Sequence, residues 1–171
     1  MRGGSIFLGY TGHALDYKLP LLRSDEAMSR ECTRLLGLMG YKVAGAQSNI
    51  GLEQEFFLIP RDAYARRPDL QQAGRTVLGK FPGRGQEMCD HYMAPLNPNA
   101  LNCLREIQHE CFKMGIPLKT RHREVAPNQY EMAPYFGHVT SQIDQNIMVM
   151  QVCEEIAAKY NLVCLLQEKP F

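Results

Sequence analysis

Four glutamates stand where a strand does not ordinarily carry charge. In GLEQEFFLIP, residues 51–60, Glu53 and Glu55 lie two apart ahead of four apolar residues, Phe56 to Ile59. Alternate strand residues point to one side, so a strand here puts Glu53, Glu55, Phe57 and Ile59 on one face with the two carboxylates as neighbours. Both faces are apolar in the second half, which predicts a strand covered on both sides. Buried charge needs a partner, and no Lys or Arg lies between Lys42 and Arg61. The partner must come from elsewhere in the fold, as a basic side chain or a cation. In RHREVAPNQYEMAPYF, residues 121–136, a tight turn centred on Pro127 and Asn128 sets Ala126 opposite Gln129, Val125 opposite Tyr130 and Glu124 opposite Glu131. Like charges in direct opposition destabilise a plain sheet. Proline cannot make the favoured I′ turn, so a loop one or two residues wider is the other register, with the carboxylates still close.

Two carboxylate pairs on apolar strands point to divalent metal. Oxygen ligands without thiolates suit hard ions, Mg²⁺ or Mn²⁺, which keep open positions for phosphates. Paired ions of this kind clamp a transferring phosphoryl group. Spacing alone leaves two alternatives open. One is a structural ion-pair network with the arginines. The other is a two-carboxylate glycoside hydrolase, which four glutamates and the absence of tryptophan fit poorly.

The elements that must position these residues alternate along a chain of one-domain length. It has 171 residues, 45% hydrophobic and 22% charged, the usage of an ordinary soluble protein. A net charge of +1 gives no footprint for nucleic acid or membrane, and MRGGSIFLGY lacks the apolar run of a signal peptide. Six cysteines without a C-x-x-C pair read as reduced core thiols, which points to the cytoplasm. Ser24 caps a predicted helix running to Gly40, with Met28, Cys32, Leu35, Leu36 and Met39 on one stripe. YKVAGAQSNI and GLEQEFFLI then read as two strands, the second ended by Pro60. Residues 61–96 form a long excursion with one short helical turn. Asn97 caps a helix with Pro98 at its first position and Leu101, Leu104, Ile107, Cys111 and Met114 as its stripe, ending at Gly115. Thr140–Tyr160 is apolar nearly all round and is predicted to be buried on two sides. LVCLLQE is a final strand. The glycines around Gly79-Lys80 and Gly83-Arg84-Gly85 lack the Ser or Thr of a phosphate loop and read as plain loop. His122 shares a strand face with Glu124 and is a candidate ligand, though spacing alone does not single it out.

The segments TGHALDYKLPLLRS (11–24), GLEQEFFLI (51–59), RPDLQQAGRT (67–76), GQEMCDHY (85–92), KTRHREVAPNQYEMAPYF (119–136) and LVCLLQEKPF (162–171) closely resemble glutamine synthetase, specifically the large type III enzymes. The resemblance is collinear and covers essentially the whole chain. It implies an α+β fold, a mainly antiparallel sheet with packed helices, and residues 1–171 as a partial catalytic domain. It implies ATP-dependent ligation of ammonia to the side-chain carboxylate of glutamate through γ-glutamyl phosphate, giving glutamine. Two or three Mg²⁺ or Mn²⁺ ions are implied as cofactors, with ATP, glutamate and ammonia as small-molecule partners and a homo-oligomer, a dodecamer, as the assembly of the full-length protein.

Position by position, Glu53 resembles the ligand of the ion that holds ATP. Glu55, Glu124 and Glu131 resemble the ligand set of the ion beside the glutamate substrate, with Glu55 and Glu131 nearest that substrate. Phe136 resembles an aromatic near the adenine. No catalytic acid or base is assigned. In the family, a glycine-rich segment with a metal-binding histidine, later arginines, a last metal-binding glutamate and an amino-terminal β-grasp domain complete the site. The sequence shows none of these, so the chain alone is expected to be an inactive fragment. A γ-glutamyl ligase for another amine and a non-enzymatic structural member of the family are the alternatives. Four retained glutamates argue against the second.

Overall fold

In the computed structural model, residues 5–77, 79, 85, 87–88 and 91–167 are described. Lys80, Gly83 and Arg84 of the glycine-containing loop lie outside them, as do Cys89 and the Lys169-Pro170-Phe171 end. The chain divides into two compact units, one of residues up to Ile50 with Phe136–Ile143, the other of Gly51–Tyr135 with residues from Asp144 onward.

The first unit is built on α1, Lys18–Leu38. The helix begins six residues before the predicted Ser24 cap. Asp16 is the reason: its Oδ1 accepts the N–H of Lys18 and of Leu19, each at 2.9 Å, and its other oxygen accepts from Phe7. These bonds, Phe7's foremost, hold the Asp16 carboxyl below its usual range. Pro20 then falls in the first turn, where a missing N–H costs no helical bond. The far end closes as predicted, with Gly40 at φ +90° and the Tyr41 N–H on the Leu36 carbonyl at 2.9 Å. Of the expected stripe, Leu35 and Met39 are exposed, and Leu19 is the buried residue of the helix. The strand expected over 41–50 shrinks to β1, Asn49–Ile50, which pairs antiparallel with β5, Gly137–His138. Tyr41 and Val43 alternate in sequence but are exposed and join no ladder.

The second unit carries a four-stranded antiparallel sheet in the order β3-β4-β2-β6. Its strands are β2 (Gln54–Pro60), β3 (Leu118–Arg123), β4 (Gln129–Pro134) and β6 (Leu162–Leu165). The excursion after Pro60 holds α2 (Arg61–Tyr64), α3 (Pro68–Ala73) and a 3₁₀ turn at His91–Met93, more helix than the single turn predicted. The helix α4, Pro98–Lys113, starts as its sequence dictates, with the Asn97 side chain accepting from Asn99 and Ala100.

One face of the sheet is the core. Phe56 and Leu58 of β2, Tyr130 and Met132 of β4 and Cys164 of β6 pack with Cys103, Leu104, Ile107 and Cys111 of α4. From α5, Val139–Lys159, the residues Val149, Val152, Cys153, Ile156 and Ala157 join them. Ile147 and Met148 of α5 are exposed, so that helix is buried along one stripe in this unit and not on two sides. The five described cysteines are free, and burial pushes the Cys103 and Cys111 thiols up to about 12. They behave as small apolar core groups. Among the described residues no helix is long and apolar enough to cross a membrane.

The other face is divided. Phe57 and Leu165 pack under Leu70 of α3, with Ile59, Tyr64 and Val163 beside them. The remainder of that face carries charge.

Candidate metal centre

The charged part of the sheet is a row of side chains across three strands. Glu131 of β4 is opposite Glu55 of β2 on one side and His122 of β3 on the other. The predicted Glu124–Glu131 opposition is therefore shifted by two residues, into the wider-loop register. Glu124 instead pairs with Gln129, its N–H reaching the Gln129 carbonyl at 2.8 Å. The turn is wide because Asn128, with φ +61°, supplies the left-handed residue that Pro127 cannot.

The shift keeps the carboxylates together. His122 Nε2 lies 2.9 Å from Glu124 Oε1 and 3.4 Å from Glu131 Oε2. Ligand atoms of His122, Glu124 and Glu131 all fall within 4.8 Å of one another. Glu124 is 6% exposed and Glu131 7%. Burial, followed by a hydrogen bond to Glu124 and the charges of Glu53, Glu124 and Glu55, pushes the Glu131 carboxyl up to about 8. Two buried carboxylates side by side cannot both ionise cheaply, so one keeps a proton and donates it to the other.

Sequence and structure part company over the first pair. Glu53 and Glu55 are exposed, Glu53 lying just ahead of β2, so they are not the buried charges that the apolar run suggested. The strand is covered from Phe56 to Leu58. Glu55 keeps its place in the row and accepts Gln129 Nε2 at 3.0 Å on its Oε2. Glu53 is close enough for its charge to act on Glu131. Phe136 belongs to the other unit and has an exposed ring.

Two neighbours escaped the sequence reading. Tyr92, on the 3₁₀ turn, hydrogen-bonds Glu124, and that bond first of all raises its phenol above the usual range. Its ring sits 5.9 Å from that of His122, tilted by 44°. Gln129 is the other. A signal for it existed, since it lies two residues before Glu131 on the same strand face. None existed for Tyr92, whose approach depends on the course of the excursion.

Among the described residues, the ion pairs of Glu124 and Glu131 are with His122, and no Lys or Arg forms one with any of the four glutamates. Two buried carboxylates, one imidazole and an adjacent third carboxylate form a hard, mostly oxygen donor set. That set fits a divalent cation, which would replace the shared proton.

Residues 33–171 match the glutamine synthetase catalytic domain. The chain belongs to the glutamine synthetase family. It is 46% identical over 166 residues to a type-3 glutamine synthetase of Dictyostelium discoideum, covering 96% of this chain and 23% of that protein. A glutamine synthetase of Butyrivibrio fibrisolvens is 45% identical over 96% of this chain and 24% of its own length. The chain thus spans about a quarter of the curated relatives it matches. A solved GmaS/ADP complex aligns with a TM-score of 0.51 at 20% identity, over 72% of this chain and 25% of that one, which shows the shared fold. The mixed α+β architecture with an antiparallel sheet is that of a glutamine synthetase catalytic domain. Divalent metal and ATP belong to the chemistry of this family, and the Glu124–Glu131 cluster is where the described residues suit the metal.

Proposed function

We propose that this chain is part of the catalytic domain of a cytoplasmic, homo-oligomeric, dodecameric enzyme that ligates ammonia to the side-chain carboxylate of glutamate at the expense of ATP. The observation that carries the reading is the pair of buried glutamates, Glu124 and Glu131, gathered on one imidazole with no described Lys or Arg to neutralise them.

Glu55, Glu124 and Glu131 would hold a divalent ion, Mg²⁺ or Mn²⁺, beside the acceptor carboxylate, and Glu53 would hold the ion on the nucleotide. When bound, such ions screen the negative charge of the triphosphate and of its acceptor. The chain's own residues prepare that place. The sheet fixes Glu131 between Glu55 and His122. His122 Nε2, 2.9 Å from Glu124 and 3.4 Å from Glu131, gathers both carboxylates on one imidazole. The exposed Phe136 ring offers a stacking surface for the adenine.

Positional isotope exchange tests the reaction directly. The protein carrying this chain, given ATP with ¹⁸O in its β,γ-bridge, Mn²⁺ and glutamate without ammonia, should move label from the bridge into the β non-bridging positions only when glutamate is present. Scrambling that ignores glutamate, or none at all in a preparation that binds ATP and Mn²⁺, overturns the proposed acyl phosphate.

A further inference from the structure

Gln129 ties the hairpin turn to two of the glutamates. Its carbonyl accepts the Glu124 N–H at 2.8 Å, its side-chain Nε2 donates to Glu55 Oε2 at 3.0 Å, and its own N–H reaches the Ala126 carbonyl at 3.1 Å. It pairs with Phe57, two positions along from the Glu131–Glu55 pair and on the same face. One residue thus closes the hairpin turn, fixes the backbone of one glutamate and holds the carboxylate of a second. It also shares a strand face with the third.

The amide is chemically apt for this. Glu55 is exposed and has no ion pair among the described residues, so without Gln129 its side chain would sample several rotamers. A Lys or Arg in the same place would hold Glu55 equally well, but its charge would occupy the position a cation needs. An amide N–H₂ occupies one lone pair of one oxygen, carries no net charge and leaves the rest of the carboxylate available. Groups that orient a ligand in this way weaken metal binding about 10- to 100-fold when removed.

We propose that Gln129 is a positioning residue for the metal centre, aiming Glu55 at the ion held by Glu124 and Glu131 while leaving the rest of that carboxylate free to bind. This rests on the metal reading above.

The test uses the protein carrying this chain and Mn²⁺ alone, with free ion followed by electron paramagnetic resonance and metal-free melting measured alongside. Glu131→Gln identifies the binding phase that belongs to this centre. Gln129→Met keeps length and loses the donor; it should weaken that phase about tenfold or more while leaving metal-free melting little changed. Gln129→Lys should raise metal-free melting and abolish the phase, because the ammonium takes the ion's place. A Gln129→Met protein that binds Mn²⁺ as tightly as wild type, or a Gln129→Lys protein that still binds, overturns the inference while the metal reading stands. A wild-type protein with no phase sensitive to Glu131→Gln overturns both.

Discussion

Replacing Glu131 by Gln should stabilise the metal-free protein at neutral pH, against the usual effect of altering a buried polar residue. The Glu131 carboxyl is raised from 4.5 to about 8, first by burial and then by its bond to Glu124. Between those values the native state binds a proton that the unfolded chain releases, so stability falls as pH rises from 4.5 and levels off above 8. At about 1.4 kcal/mol per pH unit the deficit reaches about 3 kcal/mol at pH 7 and vanishes near pH 4. Glutamine makes the same donor bond to Glu124 with no proton to acquire. The metal-free variant should therefore melt roughly 5–10 °C above wild type at pH 7 to 8 and together with it at pH 4.5 to 5. Scanning fluorimetry with chelator over pH 4.5 to 9 reads this. Mn²⁺ should reverse the order at pH 7 once it reaches about 1,000 times its dissociation constant, where a ligand adds about 4.1 kcal/mol to the wild type and little to the variant. A variant that melts at or below wild type at pH 8 with chelator, or a wild type whose melting does not change between pH 5 and 8, refutes the claim of two uncompensated buried carboxylates.

Other substitutions report on separate steps of the account. Glu53→Gln should raise the KM for ATP, whereas Glu55→Gln should raise the KM for glutamate and slow phosphoryl transfer, each by roughly tenfold or more; steady-state kinetics with each substrate varied separately checks the division, and identical effects would mean one undivided cluster. Leu104→Ala, at a fully buried site of α4, should cost about 2–5 kcal/mol in denaturant unfolding. Asn97→Ala removes the cap bonds to Asn99 and Ala100 and should cost about 1 kcal/mol, read as faster amide exchange in the first turn of α4. Asn128→Val, at φ +61°, should destabilise the hairpin by about 1–2 kcal/mol while Asn128→Gly leaves melting nearly unchanged.

Local signals were legible where the physics is local. The cap at Asn97-Pro98, the stop at Gly115 and the apolar run of β2 all stand in the structure as their residues imply. The start of α1 was not legible, because Asp16 caps from outside the periodic segment and Pro20 hides in the first turn. Tyr41 and Val43 look like a strand only because alternation carries no information about whether a partner strand arrives. At the cluster, residue types pointed to glutamates that the sheet brings near one another, but to the wrong burial. Charge in an apolar run suggested that Glu53 and Glu55 were inside, whereas the enclosed pair is Glu124 and Glu131. A two-residue change in turn width moved His122 opposite Glu131, and no periodicity in one strand can fix the register of its neighbour.

Anomalous diffraction from crystals of the protein carrying this chain, soaked in Mn²⁺ and measured on either side of the manganese edge, tests the central claim most directly. The account predicts a peak about 2–2.3 Å from carboxylate oxygens of Glu124 and Glu131, with Glu55 turned toward it. A cluster without such a peak in crystals that bind Mn²⁺ elsewhere, or one filled by a Lys or Arg side chain from the rest of the protein, would contradict it.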